Sequence, residues 1–180
     1  MLKIAIVGNI ASGKSTVENI LKEQGYKVFD TDKISHQILE SSTEVKALFG
    51  TVDRKQIAKI VFTDKNKLKE LESIIHPKVK EELLKIFAGE EHIIFVSVPQ
   101  LFESGMENLF DKIIYITADS DIRKERLIKR NNLTPEEAEI RILAQNEDGK
   151  IKKSDFVIKN NSDILFLKNC VLDFLKTLQL

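Results

Sequence analysis

The chain has 180 residues, 28 of them Lys or Arg and 28 Asp or Glu, with three His and one Cys; 42% are hydrophobic and 31% charged. That length supplies one domain's worth of core with room for an inserted lobe, and zero net charge supplies no global field to draw the protein onto nucleic acid or an anionic membrane. Cys170 alone cannot form an internal disulfide, no Cys/His spacing resembles a zinc site, and no apolar run approaches a membrane span, so a soluble protein of the reducing cytoplasm is expected.

The apolar runs alternate with helical patterns. Residues 2–7 read as a buried strand that flows into a glycine loop, without the cleavage site of a secretory signal. A helix carrying Val17, Ile20 and Leu21 follows, Gly25 ends it, and Tyr26 to Phe29 form a second strand. From about Thr31 to Ala88 the apolar spacing is helical, with His76-Pro77 expected to bend or restart the last helix, because proline removes a donor there. Ile93 to Val98 and Lys112 to Ile116 are nearly continuous apolar runs, as in a parallel sheet covered on both faces. Helices are expected over about Ser120 to Arg130 and Pro135 to Asn146, the second with Thr134 as N-cap. A short strand, Asp155 to Ile158, and a helix, Ile164 to Leu178, close the chain. This order implies a layered α/β fold, whose ligands sit at the carboxyl ends of the strands.

Gly8-Asn9-Ile10-Ala11-Ser12-Gly13-Lys14-Ser15 matches the phosphate-loop pattern and lies between a strand and a helix, as that pattern requires. Its glycines let backbone N–H groups turn around phosphate oxygens at a helix N-terminus. Lys14 has the reach for β- and γ-phosphates, the Ser15 hydroxyl suits Mg2+, and Thr16 falls toward the α-phosphate. The chain is read as binding a nucleoside triphosphate.

Asp30-Thr31-Asp32 follows the second strand directly. A kinase needs a carboxylate near the γ-phosphate, to take the proton of the attacking hydroxyl or to hold Mg2+ through water. Asp32 is read as that base or orienting group and Asp30 as a supporting acid, with capping of the next helix open to either. His36 lies one turn beyond Asp32 and is either a surface helix residue or a substrate contact, and His76, before Pro77, either orders a turn or approaches the substrate. After the third strand, Glu103 is placed to meet a sugar hydroxyl or a metal-bound water, with Leu101 and Phe102 as an apolar wall.

Only five of the 28 basic residues are Arg, and four of these, Arg123, Arg126, Arg130 and Arg141, fall in one helix-loop-helix stretch. Arg123, Arg126 and Arg130 share a helical face. Arg suits forked contact with phosphate oxygens, so the stretch reads as a lid that would also exclude water. The guanine-reading motif of a GTPase switch is absent, since Asn66-Lys67-Leu68-Lys69 lacks its acid.

Taken together, Gly8–Ser15, Asp30-Thr31-Asp32, His76-Pro77, Val98 to Glu103, Arg126-Leu127 with Arg130, Thr134 to Ala138, Arg141-Ile142 with Gln145, and Asp155 with Asn160 resemble the dephospho-coenzyme A kinases, over residues 2 to about 161. The resemblance implies ATP-dependent phosphorylation of the ribose 3′-hydroxyl of dephospho-CoA, the last step of coenzyme A synthesis. It implies the P-loop nucleoside triphosphate hydrolase fold, α/β with a parallel sheet flanked by helices, in one domain: a core in about 1–30, 91–118 and 154–180, a helical acceptor-binding region in about 31–90 and a lid in about 119–153. On this basis Lys14, Asp32, Arg126 and Arg141 are catalytic. Gly8, Ala11, Ser12, Gly13, Lys14, Ser15, Thr16 and Arg130 hold ATP, Asp30, Asp32, His76 and Glu103 face the acceptor, and Ser15 ligates Mg2+. The implied partners are ATP and dephospho-CoA, with no nucleic acid, membrane or obligate protein partner. The sequence departs from the family pattern at Gln100, usually Leu, in a shortened Phe49–Arg54 segment, and at Ser97, which leaves the third strand without an acid. A metal-water role then falls to Asp30 or Asp32.

Overall fold

The first apolar run forms strand β1 (Leu2–Gly8), with Ile4, Ala5, Ile6 and Val7 buried. β1 is the middle strand of the sheet, paired along both of its edges. The computed structural model describes residues 1–145 and 148–178. In chain order the other strands are β2 (Lys27–Asp30), β3 (Ile93–Ser97), β4 (Lys112–Thr117) and β5 (Phe156–Lys159), and they form one five-stranded parallel sheet in the order β2-β3-β1-β4-β5. The register sets Ile4 beside Phe95, Ile6 beside Ser97 and Ile114, and Gly8 beside Ile116.

Two helices cover one face of this sheet, α1 (Lys14–Glu23) and the closing α9, Ile164–Leu178. Val17, Ile20 and Leu21 of α1 and Leu167, Val171, Phe174 and Leu175 of α9 share a cluster with Ile4, Ile6, Phe95, Ile114, Ile116 and Ile158 of the strands. Edge-on aromatic contacts fix that layer, with ring centroids 5.3 Å apart for Tyr26 and Phe95 and 4.9 Å for Phe156 and Phe174. Gly25, at φ +86°, turns the chain out of α1 as its position implied.

By backbone contacts the chain divides into two compact units, Met1–Phe29 with His92–Leu180, and Asp30–Glu91. The second unit holds α2 (Thr31–Ser41), α3 (Thr43–Phe49), α4 (Arg54–Thr63) and α5 (Lys65–Phe87). Each starts on an acceptor side chain: Asp30 takes the Asp32 N–H, Ser42 that of Val45, Asp53 that of Gln56, and Asp64 those of Asn66 and Lys67. α2, α3 and α4 all pack on α5, and an ion pair joins Lys78 of α5 to Glu44 of α3. α5 does not restart at Pro77 but continues through it. Pro77 cannot bond the Ser73 carbonyl, and both residues lie on the exposed side of the helix, where solvent is at hand for that acceptor.

The remaining helices belong to the first unit: α6 (Ser120–Asn131), α7 (Pro135–Leu143) and α8 (Asp148–Ile151). α7 starts with a full capping box, Thr134 and Glu137 each accepting the other's backbone N–H. It ends at Leu143, and Asn146, where its end was expected, lies outside the described residues. The short α8 and a single 3-10 turn at Glu107–Leu109 have no counterpart in the sequence pattern. No helix among the described residues is long and apolar enough to cross a membrane.

Two outcomes follow from this packing. Leu21 is fully buried in the main cluster, and Leu21→Ala should lower the unfolding free energy by about 2–5 kcal/mol in urea denaturation. At the ends of β4 and β5, Lys159 pairs with Asp119 at 2.9 Å and, with Asn161, holds the Asp119 carboxyl below its usual range. A carboxylate favoured in the folded state stabilises it above its unfolded pKa, and that contribution vanishes as pH falls through the lowered folded value. Thermal stabilities of wild type and Asp119→Asn should therefore differ slightly at pH 7 and converge as pH falls through the lowered Asp119 value.

Candidate active site

The loop between β1 and α1 is shaped by what surrounds its glycines. At Gly8 a Cβ would lie 2.5 Å from the Ile116 carbonyl oxygen and 2.7 Å from Ser12 Oγ, so β1 can approach β4 this closely only without a side chain. Gly13 caps α1 in the left-handed region, φ +96°, and a Cβ there would meet Asn160 Nδ2 at 2.1 Å.

Asn160 stands just past the end of β5. Its side-chain amide donates to the Ser12 carbonyl at 2.8 Å, and its own carbonyl accepts from Arg126 Nη2 at 3.0 Å, while Arg126 Nη1 reaches the Ala11 carbonyl at 3.4 Å. Gln145 Oε1 accepts the Ile10 N–H at 2.8 Å. Ile10 and Ala11 also pack on the small apolar cluster of Leu127, Ala138 and Ile142, which joins α6 to α7. Two loop carbonyls are thus tied to other elements. Among the described residues no acceptor pairs with the backbone N–H groups of Ala11, Gly13, Lys14 and Ser15. That leaves a run of donors at the start of α1, the arrangement that receives an anion.

Two buried polar atoms of the loop, Asn9 Nδ2 and Ser12 Oγ, have no hydrogen-bond partner among the described residues, while Asn9 Oδ1 accepts from the Tyr115 hydroxyl at 2.8 Å. Lys14, the first residue of α1, turns its ammonium to Ser97 Oγ at 3.0 Å and Glu18 Oε1 at 3.4 Å. Ser97 is fully buried at the end of β3, and Glu18 is 8% exposed. Ser15 is exposed in the first turn and Thr16 half-buried.

Gly8, Ala11, Ser12, Gly13, Lys14, Ser15, Thr16 and Arg126 therefore come together around one loop. The other arginines sit differently: Arg123 is buried, Arg130 is exposed with Nε on Asn131 Oδ1 at 2.8 Å, and Arg141 is exposed in the last turn of α7. Glu103 is exposed and pairs with Lys150 of α8 at 2.5 Å, and the Lys153 ammonium lies 5.6 Å from the Phe102 ring centre. Leu101, expected to wall an acceptor, is fully buried and is a packing residue. In the second unit Asp30 caps α2, Asp32 is exposed in its first turn, and His36 and His76 are half-buried on α2 and α5.

Sequence reasoning missed Glu18, Asn9 and Tyr115. Glu18 had a signal, since it lies four residues after Lys14 on the same helical face; the partnership of Asn9 with Tyr115 had none.

The family model described as dephospho-CoA kinase matches residues 2–165. The chain belongs to that family. The Fusobacterium nucleatum dephospho-CoA kinase is 41% identical over 191 residues, covering 97% of each chain, and that of Listeria innocua is 37% identical over 190 residues, covering 96% of this chain and 95% of the other. Among solved structures, a dephospho-CoA kinase from Campylobacter jejuni superposes with a TM-score of 0.77 at 31% identity, covering 98% of this chain and 96% of that one.

Within this kinase, Asn160 is the residue whose loss the loop should register most directly. Asn160→Ala strands the buried Ser12 carbonyl, a loss of about 1–3 kcal/mol. A lower melting temperature and a KM for ATP raised about tenfold are expected, read by thermal denaturation and steady-state kinetics.

Proposed function

We propose that the protein transfers the γ-phosphoryl group of ATP to the ribose 3′-hydroxyl of dephospho-CoA, giving coenzyme A and ADP. The observation that carries the reading is the loop itself: the Ser12 and Ala11 carbonyls are tied away to Asn160 and Arg126, and among the described residues the N–H groups of Ala11, Gly13, Lys14 and Ser15 have no acceptor. Family membership supplies the acceptor. The division of labour we favour is a nucleotide core over about 1–30, 91–118 and 154–180, an acceptor-binding region over about 31–90 and a lid over about 119–153, in a cytoplasmic enzyme that needs no protein partner.

In this reading the N–H groups of Ala11, Gly13, Lys14 and Ser15 and the Lys14 ammonium receive the β- and γ-phosphates. Asp32 accepts the proton of the 3′-hydroxyl as its oxygen bonds to the γ-phosphorus; the bond from that phosphorus to the β–γ bridging oxygen breaks, and ADP leaves with the electron pair. Asp30, already engaged as the cap of α2, orients this turn, and His76 and Glu103 contact the acceptor. Arg130 and Arg141 meet phosphate oxygens from the lid. Arg126 contributes both charge and the support of the Ala11 carbonyl.

The described residues contain no group of three or more His, Cys, Asp or Glu able to hold a metal by themselves. Mg2+ fits that donor set, because it prefers oxygen ligands, keeps several waters and is commonly carried by substrate phosphates with one or two protein ligands. The exposed Ser15 hydroxyl would be the protein ligand. When bound, the ion would neutralise charge on the phosphates.

Coupled ADP release with a panel of dephospho-CoA, AMP, pyrimidine nucleosides and shikimate tests the reading: dephospho-CoA should exceed every other acceptor, and preference for another would overturn it. Asp32→Asn should lower kcat about a hundredfold or more while the KM for ATP stays near wild type. Undiminished turnover in that variant would remove Asp32 from the chemistry.

A further inference from the structure

We propose that Glu18 and Ser97 set the charge around Lys14 at one carboxylate per ammonium, and that this ratio fixes how tightly the site holds nucleotide phosphates. It rests on the reading of Lys14 as a phosphate ligand. An ammonium has three N–H donors. One goes to Ser97 Oγ at 3.0 Å and one to Glu18 Oε1 at 3.4 Å, which leaves the third for a phosphate oxygen. The two contacts make Glu18 and Ser97 positioning residues for Lys14.

Their chemistry differs, and the difference matters for affinity. Glu18 is 8% exposed and Ser97 0%, so water and salt screen this cluster weakly. A carboxylate held beside the ammonium offsets part of its attraction for an incoming phosphate. Lying four residues on from Lys14 in α1, Glu18 is carried by the same rigid helix and stays beside it. Phosphate-loop enzymes commonly place an acid at the end of a neighbouring strand. Here the neutral hydroxyl of Ser97 ends β3 and still accepts from Lys14. An acid at that position as well would set Lys14 between two carboxylates and turn the cluster net negative. The hydroxyl keeps the ammonium oriented at no cost in charge.

The test is calorimetric titration of ADP into the full-length protein in metal-free buffer with EDTA, so that metal binding does not enter the measurement. Glu18→Gln keeps the size and the acceptor oxygen and removes the charge, and it should bind ADP about tenfold more tightly. Ser97→Asp adds a carboxylate and should bind about tenfold less tightly, and the double variant should return near wild type. A residue that merely packs would leave affinity unchanged or weaken it, so unchanged or weaker binding in Glu18→Gln overturns the proposal. A double variant as tight as Glu18→Gln does the same, and if Ser97→Asp fails to fold, Glu18→Gln decides alone. Lys14→Met separates the two levels. If it leaves ADP affinity intact, the phosphate role of Lys14 is wrong; if it weakens ADP while Glu18→Gln does not tighten it, only the charge ratio is wrong.

Discussion

The hydrogen bond from the Asn160 side chain to the Ser12 carbonyl is the contact on which the rest of the site depends. A loop that is to offer N–H groups to phosphate must send its carbonyls elsewhere, and buried carbonyls need partners. Asn160 meets that requirement from the end of β5, and Arg126 meets it for Ala11 while holding Asn160 in place by its main chain. The absence of a side chain at Gly13 is the other half of the same contact, because any Cβ would occupy the space of the Asn160 amide. Lys14 follows Gly13 directly, so the start of α1 inherits its position from a residue almost 150 places later in the chain.

Charge is distributed on the same principle. Exposed pairs such as Lys67 with Glu70 and Lys176 with Asp173 are solvated and add little to stability. Close to the loop the groups are few and held: Lys14 between Ser97 and Glu18, Arg126 on two carbonyls. Along α6 the arginines pass from buried Arg123 through half-buried Arg126 to exposed Arg130. Guanidinium groups on one helical face thus reach three different environments, and the middle one supports the loop. Zero net charge over the whole chain is compatible with Lys14 and Arg126 standing together at the loop.

Strands β1, β3 and β4 were legible in the sequence because they are buried on both faces and read as nearly unbroken apolar runs, as in Ile93 to Val98. The phosphate loop was legible because glycine placement there answers to sterics that few other residues satisfy. What the sequence hid was partnership across long separations: nothing local joins Asn9 to Tyr115, or Lys150 to Glu103. The partner of Glu103 comes from α8, an element too short to show a periodicity. At Pro77 the restart did not occur because the helix side that loses the bond is exposed and solvent is at hand for the freed carbonyl.

Placing β1 at the centre of the sheet has a consequence for the order in which the molecule assembles. Both hydrogen-bonding partners of β1 lie far downstream, β3 pairing Leu2 with Ile93 and β4 pairing Ile4 with Lys112. Ribosomal synthesis therefore exposes β1 before either partner exists, and closing those pairs is a high-contact-order step. Residues 30–91 form one contiguous stretch whose four helices are each initiated by a neighbouring side chain, so their structure needs no distant segment to begin. The helical insert is positioned to fold first, and the nucleotide sheet to close around its own N-terminal strand afterwards.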